Sequence, residues 1–213
     1  MLQDFRPKQF FALAQEDCLE LFSEKEPVWM ALKKLRSYIE SRSLGVIETH
    51  CPKEATLIHP EKIFIGKNTK IFPGAYIEGP CIIGQSVEIG HCAFIRPYSV
   101  IGDFCKVGHA TEIKESILLS HAKAPHFNYV GDSILGHDVN LGAGVICANF
   151  KINKREVIIR HETQKIMTGM KKLGAIIGDG SFLGCNTVTN PGTILKKGFI
   201  CSPCSDVKGA ILL

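Results

Sequence analysis

No apolar run in these 213 residues is long enough to span a bilayer, and no dense stripe of lysine and arginine marks a nucleic-acid surface. The net charge of +4 is only a mild basic excess, which suits an anionic small molecule as well as any polymer. Met1 to Arg6 includes Asp4 and leads into a helical pattern, without the features of a secretory leader, so the expected location is cytoplasmic. Low hydrophobicity is also lacking. With 45% hydrophobic and 22% charged residues, the composition excludes global disorder and fits one long domain with a small appendage. Nine cysteines are spread through the chain without the density of a disulfide scaffold, so reduced thiols are expected. Cys201-Ser-Pro-Cys204 has CxxC spacing but lacks a second ligand pair and a βαβ context. It reads as two small, buried or half-buried residues rather than a metal or redox motif.

What the sequence does contain is a period. Ile65, Ile71, Ile77, Ile83, Ile89, Ile95, Ile101, Val107, Ile113 and Leu119 are spaced by six without a miss. Four residues after each lies a second column, Thr69, Ala75, Cys81, Val87, Ala93, Ser99, Cys105, Thr111 and Ile117, mostly small or β-branched. Both columns point into a narrow interior. Gly66, Gly84, Gly90, Gly102 and Gly108 directly follow their aliphatic residues, where positive φ would ease a sharp corner. The register slips near Leu119 and resumes with Tyr129, Leu135, Leu141 and Cys147. Beyond an interruption it continues with Ile177, Leu183, Thr189, Leu195, Cys201 and Val207.

Three hexads make one triangular coil, so the expected fold is an all-β solenoid over residues 57–213, with an inserted loop at about 150–173 thrown out from one corner. The pattern resembles the left-handed parallel β-helix of hexapeptide-repeat acyltransferases, and the left hand comes from that resemblance. Residues 1–56 lack the six-residue period. Helical spacing of Phe11, Ala14, Cys18, Leu21 and Phe22, then of Val28, Leu32, Leu35 and Ile39, predicts two amphipathic helices separated by Ser23 to Pro27, with Glu26-Pro27 suited to a helix start. Their apolar faces, with Trp29, are expected to cover the first coil or a neighbouring subunit.

Residues eighteen apart share a face of adjacent coils, which aligns Glu78, Arg96 and Lys114. The two cations then stand about one strand spacing apart. Either they form a solvated pair balanced by Glu78, or a phosphate sits between them and accepts charge-assisted hydrogen bonds from both. His126 lies in the register slip, where a side chain can be re-aimed for function; alone it reads as either structural or catalytic.

Lys123 to Asp132, Val139-Asn140-Leu141-Gly142-Ala143-Gly144 and Cys147-Ala148-Asn149-Phe150 resemble the acetyltransferase half of the bifunctional glucosamine-1-phosphate acetyltransferase and uridylyltransferase family. Lys171 to Asp179 is similar to related archaeal-type sugar-1-phosphate enzymes. The resemblance implies an acetyl-CoA-dependent N-acetyltransferase of a hexosamine 1-phosphate, in the pathway to UDP-N-acetylhexosamines. It implies His126 and Asn149 as catalytic, Arg96 and Lys114 as sugar-phosphate ligands, Tyr129 and Asn140 as further substrate contacts, and Ala143 and Cys185 as acetyl-CoA contacts. A homotrimer with no resident metal is implied as well. Phe150 and Arg155 depart from the family's usual tyrosine and lysine. The glycine-rich nucleotidyl-transfer domain has no counterpart in these residues, so uridylyl transfer is not expected.

In that chemistry His126 takes the proton of the hexosamine amine, which attacks the thioester directly, and Asn149 or a backbone N–H stabilises the oxyanion. Cys147, in an inward slot, is expected to pack rather than attack. Three rival readings belong beside this one. His121-Ala-Lys-Ala-Pro-His126 resembles the spacing in β-helical γ-class carbonic anhydrases, with His109 or His91 as a third metal ligand. An inactive binding module, or a related enzyme acting on another amino sugar, would share the fold.

Overall fold

Aliphatic residues at every sixth position cannot all be buried by a single flat sheet, but they can line the inside of a chain that turns a corner after each hexad. The computed structural model, which describes residues 2–13, 18–161 and 163–212, forms that coil. Three parallel sheets of nine, eight and seven strands make its sides. Ile65 pairs with Ile83 and Ile83 with Ile101, each eighteen residues on. The interior is a single column of buried aliphatic and small side chains running from Ile63 to Val207.

Two details of the periodicity differ from expectation. The slip comes before Leu119: Ile101 pairs with Leu118 and Leu118 with Leu135, seventeen residues apart in each case. Leu118 therefore lies in the interior while Leu119 packs in a second cluster outside it. Likewise Val130, not Tyr129, continues the inward column between Ile113 and Cys147. The shortened corner is bridged by a small hydroxyl residue: the Ser116 Oγ donates to Val130 O at 3.2 Å, and Ser133 N donates to Ser116 Oγ at 3.0 Å.

The second difference concerns the glycines. Positive φ falls two residues after Gly66, Gly84, Gly90, Gly102 and Gly108, on Asn68, Ser86, Cys92, Phe104 and Ala110. The glycines themselves answer to close approach between coils. A Cβ on Gly108 would stand 1.8 Å from Pro125 O, and one on Gly66 would stand 2.7 Å from Gln85 N.

The sheet begins ahead of Leu57, since Val46–Ile47 pairs with Phe64–Ile65. Before it, one α-helix forms among the described residues, Met30–Glu40, three residues beyond Pro27. Of the first expected helix, over Phe11 to Phe22, the described residues show a 3₁₀ turn at Leu19–Leu21, with further 3₁₀ turns ahead of it at Leu2–Phe5 and Pro7–Gln9; residues 14–17 lie outside the described residues. Two prolines and short apolar clusters let this stretch follow a curved surface that a straight helix would not. The segment's described residues pack on the side of the solenoid rather than over its first coil. They lie across the outer face of the nine-stranded sheet, where Trp29, Leu35 and Ile39 pack with Val100, Ile134 and Ile176.

The insertion also folds down onto that face. Strands Ile158–His161 and Gln164–Met167 form an antiparallel hairpin, Val157 and Ile159 are buried in the same cluster, and His161 meets Phe5 edge to face at 5.5 Å. No helix among the described residues is long and apolar enough to cross a membrane.

Candidate functional site

The corner between the eight-stranded and nine-stranded sheets gathers four of the residues singled out by sequence. Arg96 and Lys114 occupy equivalent positions on adjacent coils, as the eighteen-residue arithmetic predicts, and Lys114 pairs in register with Gly131 on the next. Gly131 is there because of space: a Cβ on it would lie 2.6 Å from the Tyr129 hydroxyl and 2.7 Å from Asn149 Nδ2. Tyr98, Glu115 and Asp132 stack in the following left-handed position of three successive coils, with φ of 60°, 45° and 46°. The seventeen-residue coils thus bring two carboxylates beside Lys114.

The two cations are not left facing each other. Arg96 donates to Glu112 at 2.9 Å, which raises its pKa further, and its guanidinium lies 5.7 Å from the Phe94 ring centre. Lys114 Nζ donates to Glu115 at 2.9 Å and to Asp132 at 3.0 Å. Glu112, Glu115 and Asp132, rather than Glu78, are the bonded counterions. Mutual repulsion therefore does not itself argue for a phosphate here. Burial of Lys114 works against its charge, but its two carboxylate hydrogen bonds outweigh burial and leave the pKa above the ordinary lysine value. The same balance, with burial opposed by Lys114 and Arg36, holds Glu115 below the ordinary carboxylate value.

Asn149 completes the cluster from a third coil. Its amide donates to the Tyr129 hydroxyl at 3.2 Å and also to Asp132. Burial raises the pKa of Tyr129, so its hydroxyl stays protonated at neutral pH. The sequence reading missed Glu112, Glu115 and Asp132. Asp132 had a signal, since it ends the Lys123 to Asp132 motif; Glu115 had none, because its slot depends on the coil being one residue short.

His126, Ala143 and Cys185 lie on the next corner along, between the seven-stranded and eight-stranded sheets. His126 is exposed, and its backbone is fixed by Asn128, whose buried side chain accepts from His126 N at 3.0 Å and donates to Gly142 O at 2.7 Å. Asn140 stands on the seven-stranded sheet between Lys123 and Phe182. The chain therefore does not merge all eight residues into one cavity. Between the two corners runs the outer strip of the eight-stranded sheet, on which Phe94, Glu112, Tyr129 and Ile146 are register neighbours.

The alternative sites fare differently. His121 stacks on Phe104 at 4.9 Å, at the far end of the Lys123–His126 strand, while His91 and His109 stack on each other at 4.0 Å beside the His126 corner. His121 and His126 thus point from two different corners. Cys147 is fully buried, and burial pushes its thiol up to about 11, which suits packing and not nucleophilic attack. None of the nine cysteines, all of them among the described residues, is in a disulfide.

Coils, hexads and this corner define a hexapeptide-repeat parallel β-helix protein. Within that class the chain is related in sequence to the bifunctional sugar-1-phosphate nucleotidylyltransferase/acetyltransferases. A family model described as the GMPPB C-terminal domain matches residues 77–171. The bifunctional sugar-1-phosphate nucleotidylyltransferase/acetyltransferase of Sulfurisphaera tokodaii is 35% identical over 180 residues, covering 79% of this chain and 43% of that protein. The bifunctional protein GlmU of Methanococcus maripaludis is 40% identical over 83 residues, 39% of this chain and 20% of its own length. The chain thus spans less than half the length of these relatives. A solved structure of a hexapeptide transferase family protein from Anaplasma phagocytophilum aligns with 75% of this chain and 81% of that one, at 15% identity and a TM-score of 0.30, too low to add to the argument.

Proposed function

We propose that the protein is an N-acetyltransferase that moves the acetyl group of acetyl-CoA to the amine of a hexosamine 1-phosphate. The observation that carries this reading is the convergence of Lys114, Tyr129 and Asn149 from three coils around Asp132, with Arg96 one strand away. Such a corner offers cations, a neutral hydroxyl and an amide at one end of a strip. His126 stands at the other end.

The sugar lies across the strip, its phosphate toward Arg96 and Lys114 and its amine toward His126, with Tyr129 beneath the ring and Asn140 as a further contact. Phosphate competes with Glu115 and Asp132 for Lys114 and accepts charge-assisted hydrogen bonds in their place. Neutral His126 takes a proton from the ammonium group. The freed amine forms a C–N bond to the thioester carbonyl and the C–S bond breaks; of the two protons the nitrogen loses, one passes through His126 to the leaving thiolate and the other is released to solvent. Asn149 serves as the side-chain oxyanion donor once substrate draws its amide away from Asp132; a backbone N–H is the other candidate. Ala143 and Cys185 continue the His126 corner onto the next coils and line the path for the acyl donor.

The test is release of free thiol from acetyl-CoA on addition of glucosamine 1-phosphate, galactosamine 1-phosphate and their non-phosphorylated sugars. Turnover restricted to phosphorylated amino sugars is the expected result. No turnover with any of them would favour a binding module that keeps the fold without the reaction.

A further inference from the structure

The charge of the Lys114 corner is not set by the β-helix alone. Arg36 reaches it from the N-terminal helix: its Nη2 donates to Glu115 Oε2 at 2.9 Å, while the other oxygen of Glu115 accepts from Lys114 at 2.9 Å. The helix is held at this corner twice more. The guanidinium of Arg36 lies 4.1 Å from the Tyr98 ring centre, and the Tyr98 hydroxyl donates to Glu40 at 2.9 Å. Glu115 is thus shared between a cation of the proposed site and a cation of the covering segment.

Charge counting gives that sharing a purpose. The ion-paired set, Arg96, Lys114 and Arg36 against Glu112, Glu115 and Asp132, is neutral before any ligand arrives, with Glu78 outside it but close enough to act on Arg96. Without Arg36 it carries one net negative charge, with Glu115 bound to Lys114 alone. An incoming phosphate would then meet a carboxylate whose only counterion is the lysine that the phosphate needs.

We infer that Arg36 is a positioning residue for anion binding: by holding Glu115 it releases Lys114 to a phosphate, although it does not itself touch the ligand. The inference rests on the reading that Arg96 and Lys114 take the phosphate of a hexosamine 1-phosphate. It goes beyond that reading by making the N-terminal segment part of substrate affinity and not only a cover for the sheet. Because the Arg36 side chain is 56% exposed, its loss leaves the helix's buried face intact.

Titration calorimetry with glucosamine 1-phosphate and galactosamine 1-phosphate, paired with kcat, tests it on the full chain. Arg36→Ala is expected to weaken binding about three- to tenfold, the scale of a partly screened charge, while kcat stays within about twofold. Adding Glu115→Gln to that variant removes the stranded carboxylate and should return affinity to within about twofold of the parent. Arg36→Lys, which keeps the charge, should bind nearly as the parent does. If Arg36→Ala binds normally, or the double variant binds as weakly as the single, Arg36 acts only through packing on Tyr98 and the inference fails. Lys114→Ala distinguishes the other failure. If that variant binds the sugar phosphates normally, no phosphate site exists here and the underlying reading falls with it.

Discussion

Lys114 and Glu115 show how one missing residue changes the chemistry of a corner. In an eighteen-residue coil, the position after Lys114 would have a counterpart eighteen residues away; in the seventeen-residue coil, Glu115 turns back toward the lysine and Asp132 falls beside it. The pH dependence follows from the directions of their shifts. Glu115 titrates below its ordinary 4.5, so its stabilising contribution is complete above that value and is lost as pH falls through the lowered folded value. Lys114 titrates above its ordinary 10.5, so its contribution is complete below that value and is lost as pH rises through the raised one. Thermal unfolding should therefore be insensitive to this pair between those limits, and Glu115→Gln should make the acid limb shallower. An unchanged acid limb would mean that the Glu115 pairing does not persist in solution. Arg96, Lys114 and their shared column were legible because they keep the eighteen-residue spacing. Glu115 was not, because a hexad count cannot show where a coil loses one residue.

Among the elements, the N-terminal segment departs most from its expected form. Helical spacing is present in Phe11, Cys18 and Leu21, yet Pro7 and the need to follow a twisted sheet favour short turns, and among the described residues the longer Met30–Glu40 run alone forms an α-helix. Burial was foreseeable from the apolar spacing; which surface receives it was not, since Val100, Ile117, Ile134 and Ile176 read as ordinary sheet residues. They form an apolar stripe on one outer face only. Trp29, 2% exposed and edge to face with Phe5 at 5.5 Å, anchors the segment there. Trp29→Ala should cost about 3–5 kcal/mol of docking. Because a solenoid can lose a cover without losing its coils, the expected readout is faster proteolysis within residues 18–41, with the β-sheet circular dichroism retained. Unchanged proteolysis would show that the segment is held elsewhere.

At the scale of the whole molecule, one face of the prism is covered by the chain itself and two are not. Phe72, Tyr76, Phe127, Phe182, Val188 and Ile200 are exposed on the seven- and eight-stranded sheets and the corner between them. Three parallel prisms that turn these faces toward a common axis would bury them and leave the N-terminal segments outside. Sedimentation is expected to give a trimer of about 70 kDa, three times the 23.4 kDa chain; a monodisperse monomer at micromolar concentration would contradict it. The solenoid was legible from its period, since the aliphatic column from Ile65 to Ile113 repeats every six residues and lines one interior. The expected trimer rests on the family resemblance instead, because exposed apolar side chains name no partner. The central claim is that the two corners do different work on one sugar. It is tested most directly by the pH dependence of kcat, with binding of the sugar phosphate measured alongside, in His126→Ala and Lys114→Ala. The histidine variant should lose about 10²- to 10⁴-fold in kcat with little change in binding. The lysine variant should instead lose binding worth about 1.5–3 kcal/mol while its pH profile keeps the parent's shape. A His126→Ala enzyme that turns over normally across the pH range would contradict the account.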